Sequence, residues 1–250
     1  MPNGLGYALD SHIHSQLTPK WVEALSEDRV VGVTLGYGFT LAATDAGAVF
    51  SFGSSPEGAL GHGSLEAEVL PRRIDVLAQT GRRFVAVAAG YHHALALTEE
   101  GELYGWGDGD ANGHGRDELT PRRVTALVDQ RVKLMDTGYD ASCAVMEKGE
   151  LFTWGSSGSY YNLGHGDNEP QATPKRVEGL FGARVAAVAI SGYHTLAVDE
   201  DGVVWAFGVR SGLGLDNPSP EDVRFVTTPT LNPTLRVRAR KSPDVLSFLS

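Results

Sequence analysis

The apolar positions of this chain fall into short uninterrupted runs rather than along one face of a helix. Residues 84–89 and 94–97 are small and apolar, a pattern that suits strands buried on both faces. A third run extends from Leu103 to Trp106, and a fourth begins at Pro121. No window keeps apolar residues at i, i+3, i+4 and i+7 over three turns. The pattern predicts four short strands in this part of the chain.

The same pattern recurs along the chain with glycines as its landmarks. Gly-Tyr pairs return at intervals of 48 to 54 residues, and an aromatic residue followed by glycine comes after each pair in the same phase. The pairs are Gly36-Tyr37, Gly90-Tyr91, Gly138-Tyr139 and Gly192-Tyr193, and the later aromatic residues are Phe52, Trp106, Trp154 and Phe207. A fixed period of this length indicates one supersecondary unit per repeat. Four strands per unit are typical of a propeller blade.

The expected fold is therefore all-β, a β-propeller or partial propeller of four-stranded antiparallel blades. Each Gly-Tyr pair predicts a tight reversal after a strand that lines the channel, because glycine adopts φ > 0 without strain. We expect Trp106 and Trp154 to be buried at positions equivalent to Phe52 and Phe207. Proline at the start of each fourth strand fits an outer edge, where its missing N–H breaks no ladder bond.

One array, residues 1–229, is expected to form a single propeller domain that begins partway through a repeat near Leu5-Gly6. Residues 230–250 lose the pattern and form a divergent basic tail. We interpret this tail as a solvated end, with a short docking or import signal as the alternative. Its charged residues are Arg236, Arg238, Arg240, Lys241 and Asp244.

Composition narrows the classes of function. With 31 acidic against 21 basic residues, the formal charge is −10, which argues against general nucleic-acid binding, since that binding depends on clustered Lys and Arg. The lone cysteine, Cys143, cannot form an internal disulfide and fits a reducing compartment. No apolar stretch of about 18 residues predicts a membrane span or a secretion signal. Cytoplasm or nucleus is the expected location.

No motif predicts catalysis, a cofactor or a metal site. His62, His114 and His165 stand in matching Gly-His-Gly loops, and we expect them to satisfy backbone groups of their own loops. Equivalent positions spread around a ring cannot converge on one metal. The segment from Asp108 imitates the start of a calcium loop, but Leu119 stands where the bidentate Glu belongs. The chain is therefore predicted not to be an enzyme.

Together these landmarks resemble the regulator of chromosome condensation repeat family. Residues 90–97 and 192–198 fit its histidine-containing hairpin, and residues 58–63 and 162–166 fit its Gly-x-Leu-Gly-His-Gly loop. The resemblance implies a seven-bladed ring, of which this chain holds four full repeats plus fragments. A small closed ring, an open arc, a composite ring and an incomplete gene product all agree with this pattern.

The resemblance also implies the function. We expect a non-enzymatic protein-interaction propeller, a regulatory or adaptor scaffold; the alternative is a guanine-nucleotide exchange factor for a Ran-like small GTPase. In the family, acidic and histidine side chains of the hairpin turns face the GTPase, and Asp140 and His92 are the nearest equivalents here. Relatives that sense ultraviolet light carry tryptophan in these hairpins, so tyrosine there disfavours photoreception.

The hairpin turns are the expected partner-binding site, because tyrosine offers a large rigid contact area with a polar tip. Simple packing of the tyrosines on neighbouring blades is the alternative. The expected contact residues are Tyr91, His92, Tyr139, Asp140, Tyr193 and His194. An array that does not close would also leave open blade edges, so we expect self-association through the terminal blades or marginal stability.

Overall fold

The chain folds into four antiparallel sheets of four strands each. This computed structural model describes residues 18–156, 160–215 and 224–236; the Leu5-Gly6 landmark and the tail residues Arg238 and Arg240 lie outside them. In every sheet the strands follow one another in chain order from one edge to the other. The inner strands of consecutive sheets contact each other, as the blades of a propeller do. The prediction of an all-β propeller with four-stranded blades is confirmed.

The blades contain sixteen strands. The first blade has β1 (Val30–Leu35), β2 (Phe39–Thr44), β3 (Val49–Gly53) and β4 (Glu68–Arg73). The second has β5 (Phe84–Ala89), β6 (His93–Thr98), β7 (Leu103–Gly107) and β8 (Glu118–Arg123). The third has β9 (Val132–Thr137), β10 (Ala141–Met146), β11 (Leu151–Gly155) and β12 (Gln171–Arg176). The fourth has β13 (Val185–Ile190), β14 (His194–Asp199), β15 (Val203–Val209) and β16 (Phe225–Arg236).

Helical structure in the described residues is confined to single turns at the periphery. One short α-helix, α1 (Asp75–Gln79), follows β4, and 3₁₀ turns occupy Glu23–Leu25, Thr125–Leu127, Glu178–Leu180 and Arg210–Gly212. The turns after the first three blades each bury one leucine, Leu77, Leu127 or Leu180, in the core. They therefore close the outer end of the space between two blades.

The hydrophobic core lies between blades rather than within a single layer. One cluster of buried residues joins blades one and two, a second joins blades two and three, and a third joins blades three and four. The second strands of the first three blades are buried along their whole length because both of their faces are covered. Small side chains such as Ala94 and Ala96 allow the sheets to approach closely. Cys143 is buried on such a strand, β10.

The aromatic residues near the ends of the third strands are the largest members of this core. Trp106 and Trp154 are fully buried, and Phe52 and Phe207 occupy the equivalent register positions in their blades. The Nε1 of Trp106 donates to the carbonyl of Ala59 over 2.8 Å, across the boundary between blades one and two. The predicted burial and equivalence are both confirmed, and the indole additionally bonds the preceding blade.

The four Gly-Tyr pairs are not all equivalent. Gly36, Gly90 and Gly138 are the first residues of their turns, and the backbone N–H of each donates to the carbonyl of the residue three places later. In the fourth blade Ser191 makes that bond, so Gly192 is the second residue of its turn. The expectation that Gly192 matches the other three glycines was wrong by one residue, because the Gly-Tyr pair alone does not fix the phase.

The first turn residue is glycine because of a close approach rather than a left-handed backbone. None of these first glycines has φ in the left-handed region; in these hairpins Gly38 does, with φ of 83°. A Cβ on Gly90 would collide with the ring of His93, and one on Gly36 would collide with the ring of Phe39. Our prediction of φ > 0 at these glycines was therefore wrong. Crowding by the fourth turn residue explains the glycine at positions 36 and 90, and the backbone of Ser191 in the next blade explains it at position 138.

Proline occupies the interior of the outer strands rather than their first positions. Pro71 and Pro121 are each the fourth residue of a six-residue edge strand, where a shift in pairing register occurs. The outer edge tolerates proline there because that edge has no further strand to bond. In the fourth blade β16 runs through the expected boundary at residue 229, so residues 230–236 belong to the sheet.

The first blade exposes a sheet face. Val33 and Leu35 are 58% and 73% exposed, whereas their equivalents Val87 and Ala89 pack into the core between blades one and two. The backbone edges of each sheet lie at its first and last strands, and blades meet through their faces. The described residues of the first blade therefore expose an apolar face in addition to the backbone edges through which we expected association.

Replacing Trp154 tests the core between blades two and three. Trp154→Ala should lower the free energy of unfolding by about 3–5 kcal/mol, because it empties a large aromatic site and removes the indole bond to Ala111. Trp154→Phe is the matched control, since phenylalanine stands at the equivalent places in blades one and four, and it should cost less. Urea unfolding of the three proteins makes the comparison. An alanine variant as stable as the parent would contradict this account of the core.

Candidate interaction face at the inner turns

The turns between the first and second strands of each blade lie on the same side of the array as the loops that follow the third strands. The third turn residue of each blade accepts a backbone hydrogen bond from that loop, as in Asp108 N–H to His92 O at 3.0 Å and Ser156 N–H to Asp140 O at 2.8 Å. We call these turns and the adjoining starts of the loops the turn face. In every blade the strands alternate in direction and follow chain order, so the turn after the first strand and the loop after the third strand lie at the same end of the sheet.

Three tyrosines form a column across the first three blades. The ring centroids of Tyr37 and Tyr91 are 4.3 Å apart and those of Tyr91 and Tyr139 are 3.9 Å apart, with interplanar angles of 27° and 22°. Each is the second residue of its turn, so the repeat of the blades places the rings in register. The backbone N–H of Tyr37 donates to Tyr91 O, and that of Tyr91 donates to Tyr139 O. We refer to these residues as the tyrosine column.

The hydroxyl groups of the column are also coupled. A side-chain hydrogen bond with Tyr91 raises the pKa of Tyr37, and one with Tyr139 raises the pKa of Tyr91. Tyr37 and Tyr91 therefore stay protonated at neutral pH and keep hydroxyl groups on the column. The column offers aromatic surface and hydrogen-bonding capacity together.

His92 and Glu57 lie beneath this column. His92 contacts the ring of Tyr91 at a centroid distance of 4.2 Å and that of Tyr37 at 5.7 Å. Its Nδ1 is 2.9 Å from Glu57 Oε2, although the two groups lack the alignment of a hydrogen bond. The two residues come from different blades, since Glu57 belongs to the loop that follows β3. The contact becomes an ion pair when His92 is protonated.

A group of carboxylates borders the same face. Burial, followed by the charge of Asp108, raises the pKa of Asp140, while His92 opposes that rise and Asp110 adds to it. Asp108 also accepts a hydrogen bond from the backbone N–H of Asp110 at 3.0 Å. Asp140 lies close enough to the column to raise the pKa of Tyr91. The aromatic surface is thus bordered by negative charge.

The fourth blade departs from this arrangement. Tyr193 is the third residue of its turn, equivalent to His92 and Asp140, and it meets Tyr160 edge-on at a centroid distance of 4.7 Å. In the adjoining loop after β11 of the third blade, Tyr161 has φ of 58°, at the position where the first blade has Gly58 with φ of 79°. Its ring packs against Phe225. A left-handed non-glycine residue costs backbone energy, which this aromatic contact helps to offset.

His93 anchors the turn face to the core. It is fully buried, and its Nε2 lies 2.8 Å from Ser142 Oγ, which in turn donates to Ala111 O over 2.8 Å. Since the serine proton is used on the carbonyl, His93 Nε2 is the donor to the serine oxygen. Burial lowers the pKa of His93 to about 3. The ring is therefore neutral and fixed across the boundary between blades two and three.

The remaining histidines of the loops contact their own blades, but two of them meet a side-chain hydroxyl of the third strand rather than the backbone groups of the loop that we expected. His62 Nε2 lies 2.8 Å from Ser51 Oγ, and His165 Nε2 lies 3.0 Å from Thr153 Oγ1. His114 Nε2 instead lies within 3.3 Å of the carbonyls of Gly105 and Arg122. Within residues 18–156, 160–215 and 224–236, no cluster of three or more histidine, cysteine or acidic residues could hold a metal.

The structure brings together four of the six residues expected to bind a partner. Tyr91, His92, Tyr139 and Asp140 adjoin one another, whereas Tyr193 groups with Tyr160. His194 is the first residue of β14, equivalent to His93, and its Nδ1 lies 3.3 Å from Ser191 Oγ.

Sequence reasoning omitted three neighbours of that group. Tyr37 belongs to the column and carries the same Gly-Tyr landmark as the others, so the pattern itself could have identified it. Glu57 and Tyr160 had no such signal, because they lie in loops whose lengths differ between blades.

None of the helices in the described residues is long and apolar enough to cross a membrane.

Comparisons with known proteins agree on the repeat. Models of the regulator of chromosome condensation (RCC1) repeat match residues 46–97, 148–198 and 84–116. Human E3 ubiquitin-protein ligase HERC2 is 34% identical over 223 residues, which are 87% of this chain and 4% of that protein. The ultraviolet-B receptor UVR8 of Arabidopsis thaliana is 35% identical over 218 residues, 83% of this chain and 49% of the receptor. The chain thus spans half or less of the length of these relatives.

Solved structures share the fold. Human WBSCR16 superimposes with a TM-score of 0.69 at 23% identity, covering 82% of this chain and 53% of that one. Prp20p of Saccharomyces cerevisiae, described with its binding properties to Gsp1p and histones, gives a TM-score of 0.55 at 21% identity, covering 94% of this chain and 72% of that one. At these identities the likeness concerns the fold alone.

Lowering the pH should weaken the fold through His93. Its pKa is about 3 when folded against an ordinary 6.5, so the unfolded chain binds the extra proton and stability falls as pH drops through 6.5 toward 3. At about pH 5 the expected loss from this residue is about 2 kcal/mol. His93→Phe, which copies Phe39 of the first blade, should show a shallower fall in urea unfolding between about pH 7 and 5. Parallel losses in both proteins would contradict this role for His93.

Proposed function

Because the chain belongs to the regulator of chromosome condensation repeat family, we propose that it acts as a non-enzymatic protein-interaction propeller, a regulatory or adaptor scaffold whose contact surface is the turn face. The observation that carries the proposal is the tyrosine column with its border of carboxylates. A rigid aromatic surface with polar tips is the composition that dominates the energetics of protein interfaces. Catalysis is not part of the proposal.

Exposure of the rings supports binding over packing. Tyr37, Tyr139 and Tyr193 are 61%, 49% and 56% exposed, although each belongs to a turn whose backbone is already bonded. Rings that served the fold alone would be covered by the neighbouring blade, as Trp106 and Trp154 are. The exposed tyrosines retain contact area that a partner can bury, and their stacking limits the entropy lost when it does.

Exchange of guanine nucleotide on a Ran-like small GTPase is the second candidate. It is favoured by the fold shared with Prp20p, a protein described with its binding to Gsp1p, and by the position of His92 and Asp140 on the turn face. Exchange by this route works through binding alone and needs no covalent chemistry. The adaptor role ranks first because it needs only the surface described above.

The remaining expectations extend the same proposal. A protein partner is expected rather than nucleic acid, because the chain carries a formal charge of −10. Cytoplasm or nucleus remains the proposed location. Self-association is also proposed, now through the apolar face of the first blade at Val33 and Leu35.

A photoreactive phenylalanine analogue placed on the turn face should cross-link partner proteins in cells. We expect discrete adducts from positions 37 and 193, where the native tyrosines are exposed. Position 181 is the matched control, because Phe181 is 80% exposed on the connection between blades three and four. Mass spectrometry identifies the adducts. Adducts equally abundant from position 181, or none from the turn face, would contradict the proposal.

Nucleotide release tests the second candidate. If the chain is an exchange factor, it should accelerate release of a fluorescent GDP analogue from purified Gsp1p, and Asp140→Asn should reduce that acceleration because the turn face would contact the GTPase. Glu147→Gln makes the same change in charge on a turn between the second and third strands and serves as the control. Release at the intrinsic rate would rule out this candidate and leave the adaptor role standing.

A further inference from the structure

Blade three has a cavity at the end of the sheet opposite the turn face. Its volume is about 470 Å³. Pockets that hold small ligands span roughly 300–1,000 Å³. The turn between β10 and β11 and the connection that leads into β9 form its walls. Met146 and Phe152 supply apolar surface, and Glu150 supplies a carboxylate.

The same place in blade two is filled by an arginine of the chain itself. Glu102 is the equivalent of Glu150, since each directly follows the glycine of the turn between the second and third strands. The Nε of Arg82 lies 3.3 Å from Glu102 Oε2, and a guanidinium nitrogen of Arg123 lies 3.1 Å from Oε1. Burial raises the pKa of Tyr104 and both arginines oppose that rise, so the two guanidinium groups lie near this ring.

Blade three keeps one of these two guanidinium groups. Arg176 corresponds to the outer-strand arginine, and it lies 3.2 Å from Glu150 Oε1. Gln130 stands where blade two has Arg82, since each lies two residues before its first strand. Among the described residues, Gln130 makes no hydrogen bond with Glu150. The side chain of Glu150 is accordingly 30% exposed, against 13% for Glu102.

The other two blades lack this carboxylate. Ala48 and Val203 follow the corresponding turn glycines in blades one and four. In blade four the indole Nε1 of Trp205 donates to Asp199 Oδ2 at 3.0 Å, so this end of that blade is organised differently. Among the four described blades, a glutamate at this position with an open space beside it is a feature of blade three.

The remaining lining residues carry both signs of charge. Asp129 and Glu147 line the cavity together with Arg131 and Lys148. Lys148 replaces Glu100, whose carboxylate lies 4.0 Å from the internal arginine of blade two. A wholly basic segment would meet a like charge here, so the cavity favours a cation that has an acidic neighbour.

We propose that this cavity binds an arginine side chain of a protein partner, with the guanidinium paired to Glu150 in the place that Arg82 fills in blade two. The site is additional to the turn face and lies at the other end of the blades. A planar guanidinium matches a carboxylate, and the aliphatic stem of arginine covers apolar surface such as Met146 and Phe152. Lys148 selects a segment in which an acidic residue adjoins the arginine.

Titration with a blocked Glu-Arg dipeptide tests the inference. The backbone amide resonances of Glu150 and Phe152 should shift in the proton–nitrogen correlation spectrum of the labelled parent. Glu-Lys, Glu-citrulline and Lys-Arg dipeptides at equal concentration should give smaller shifts, because they lack the planar cation, the charge and the acidic neighbour, respectively. Glu150→Gln should weaken binding about tenfold, the lower size of a charge-assisted hydrogen bond.

Two substitutions of one residue test the place of the cation. Gln130→Arg copies blade two and should abolish the shifts at Phe152, because the chain's own guanidinium then fills the cavity. Gln130→Ala is the matched variant that leaves the cavity open, and it should bind the dipeptide like the parent. Glu27→Gln makes the same change in net charge as Glu150→Gln, on the exposed connection before β1, and should also bind like the parent.

Circular dichroism confirms that each variant is folded; if Glu150→Gln misfolds, the two variants of Gln130 still decide. Equal shifts with the lysine or citrulline dipeptide, undiminished binding by Gln130→Arg, or no shift at Glu150 in the parent would overturn the inference. Cross-links at positions 37 and 193 report on the opposite end of the blades and should persist in Gln130→Arg. Their absence in the parent would count against the turn face and leave this site standing.

Discussion

The arrangement of the blades depends on a buried hydrogen bond from one blade to the loop of the blade before it. The indoles of Trp106 and Trp154 donate to Ala59 O and Ala111 O at 2.8 Å, inside clusters from which water is excluded. A buried carbonyl without a partner is costly, so each loop must keep its carbonyl opposite the next blade. In the last pair Thr195 makes the corresponding bond, to Asn162 O. This contact fixes how each sheet is placed against its neighbour.

The turn face follows from that placement. Because consecutive blades are placed alike, the second turn residues come within stacking distance, and tyrosine at that position produces a column. In the third blade the same closeness excludes a side chain from the first turn position, where Gly138 lies against the carbonyl of Ser191 in the next blade. His93 and Ser142 hold the turns to the core through the carbonyl of Ala111, which also accepts the bond of Trp154. Core and contact surface therefore share one hydrogen-bond network.

The repeat could be predicted from the sequence to a useful depth, because glycine and aromatic landmarks report local geometry. The strand number and the hairpin glycines such as Gly47 and Gly101, with φ near 80°, belong to a single repeat. The burial of the tryptophans could also be predicted, because every pair of consecutive repeats forms the same contact. The carboxylate border and the Glu57–His92 contact depend on loops meeting across blades, and no local pattern encodes that distance. The start of β8 was predicted three residues late, at Pro121 instead of Glu118. Proline is tolerated inside an outer-edge strand as well as at its beginning, so the residue alone does not mark where the strand starts.

The displaced Gly-Tyr pair of the fourth blade shows how a small change in phase alters a surface without altering a fold. Ser191 takes the first turn position and keeps its backbone bond, to the carbonyl of His194, so the strands on both sides retain their register. The tyrosine then moves from the column position to the one held by Asp140 in the third blade, and glycine takes the column position. The buried cluster that joins blades three and four contains neither Gly192 nor Tyr193, so the exchange leaves that cluster in place while it changes the surface above it.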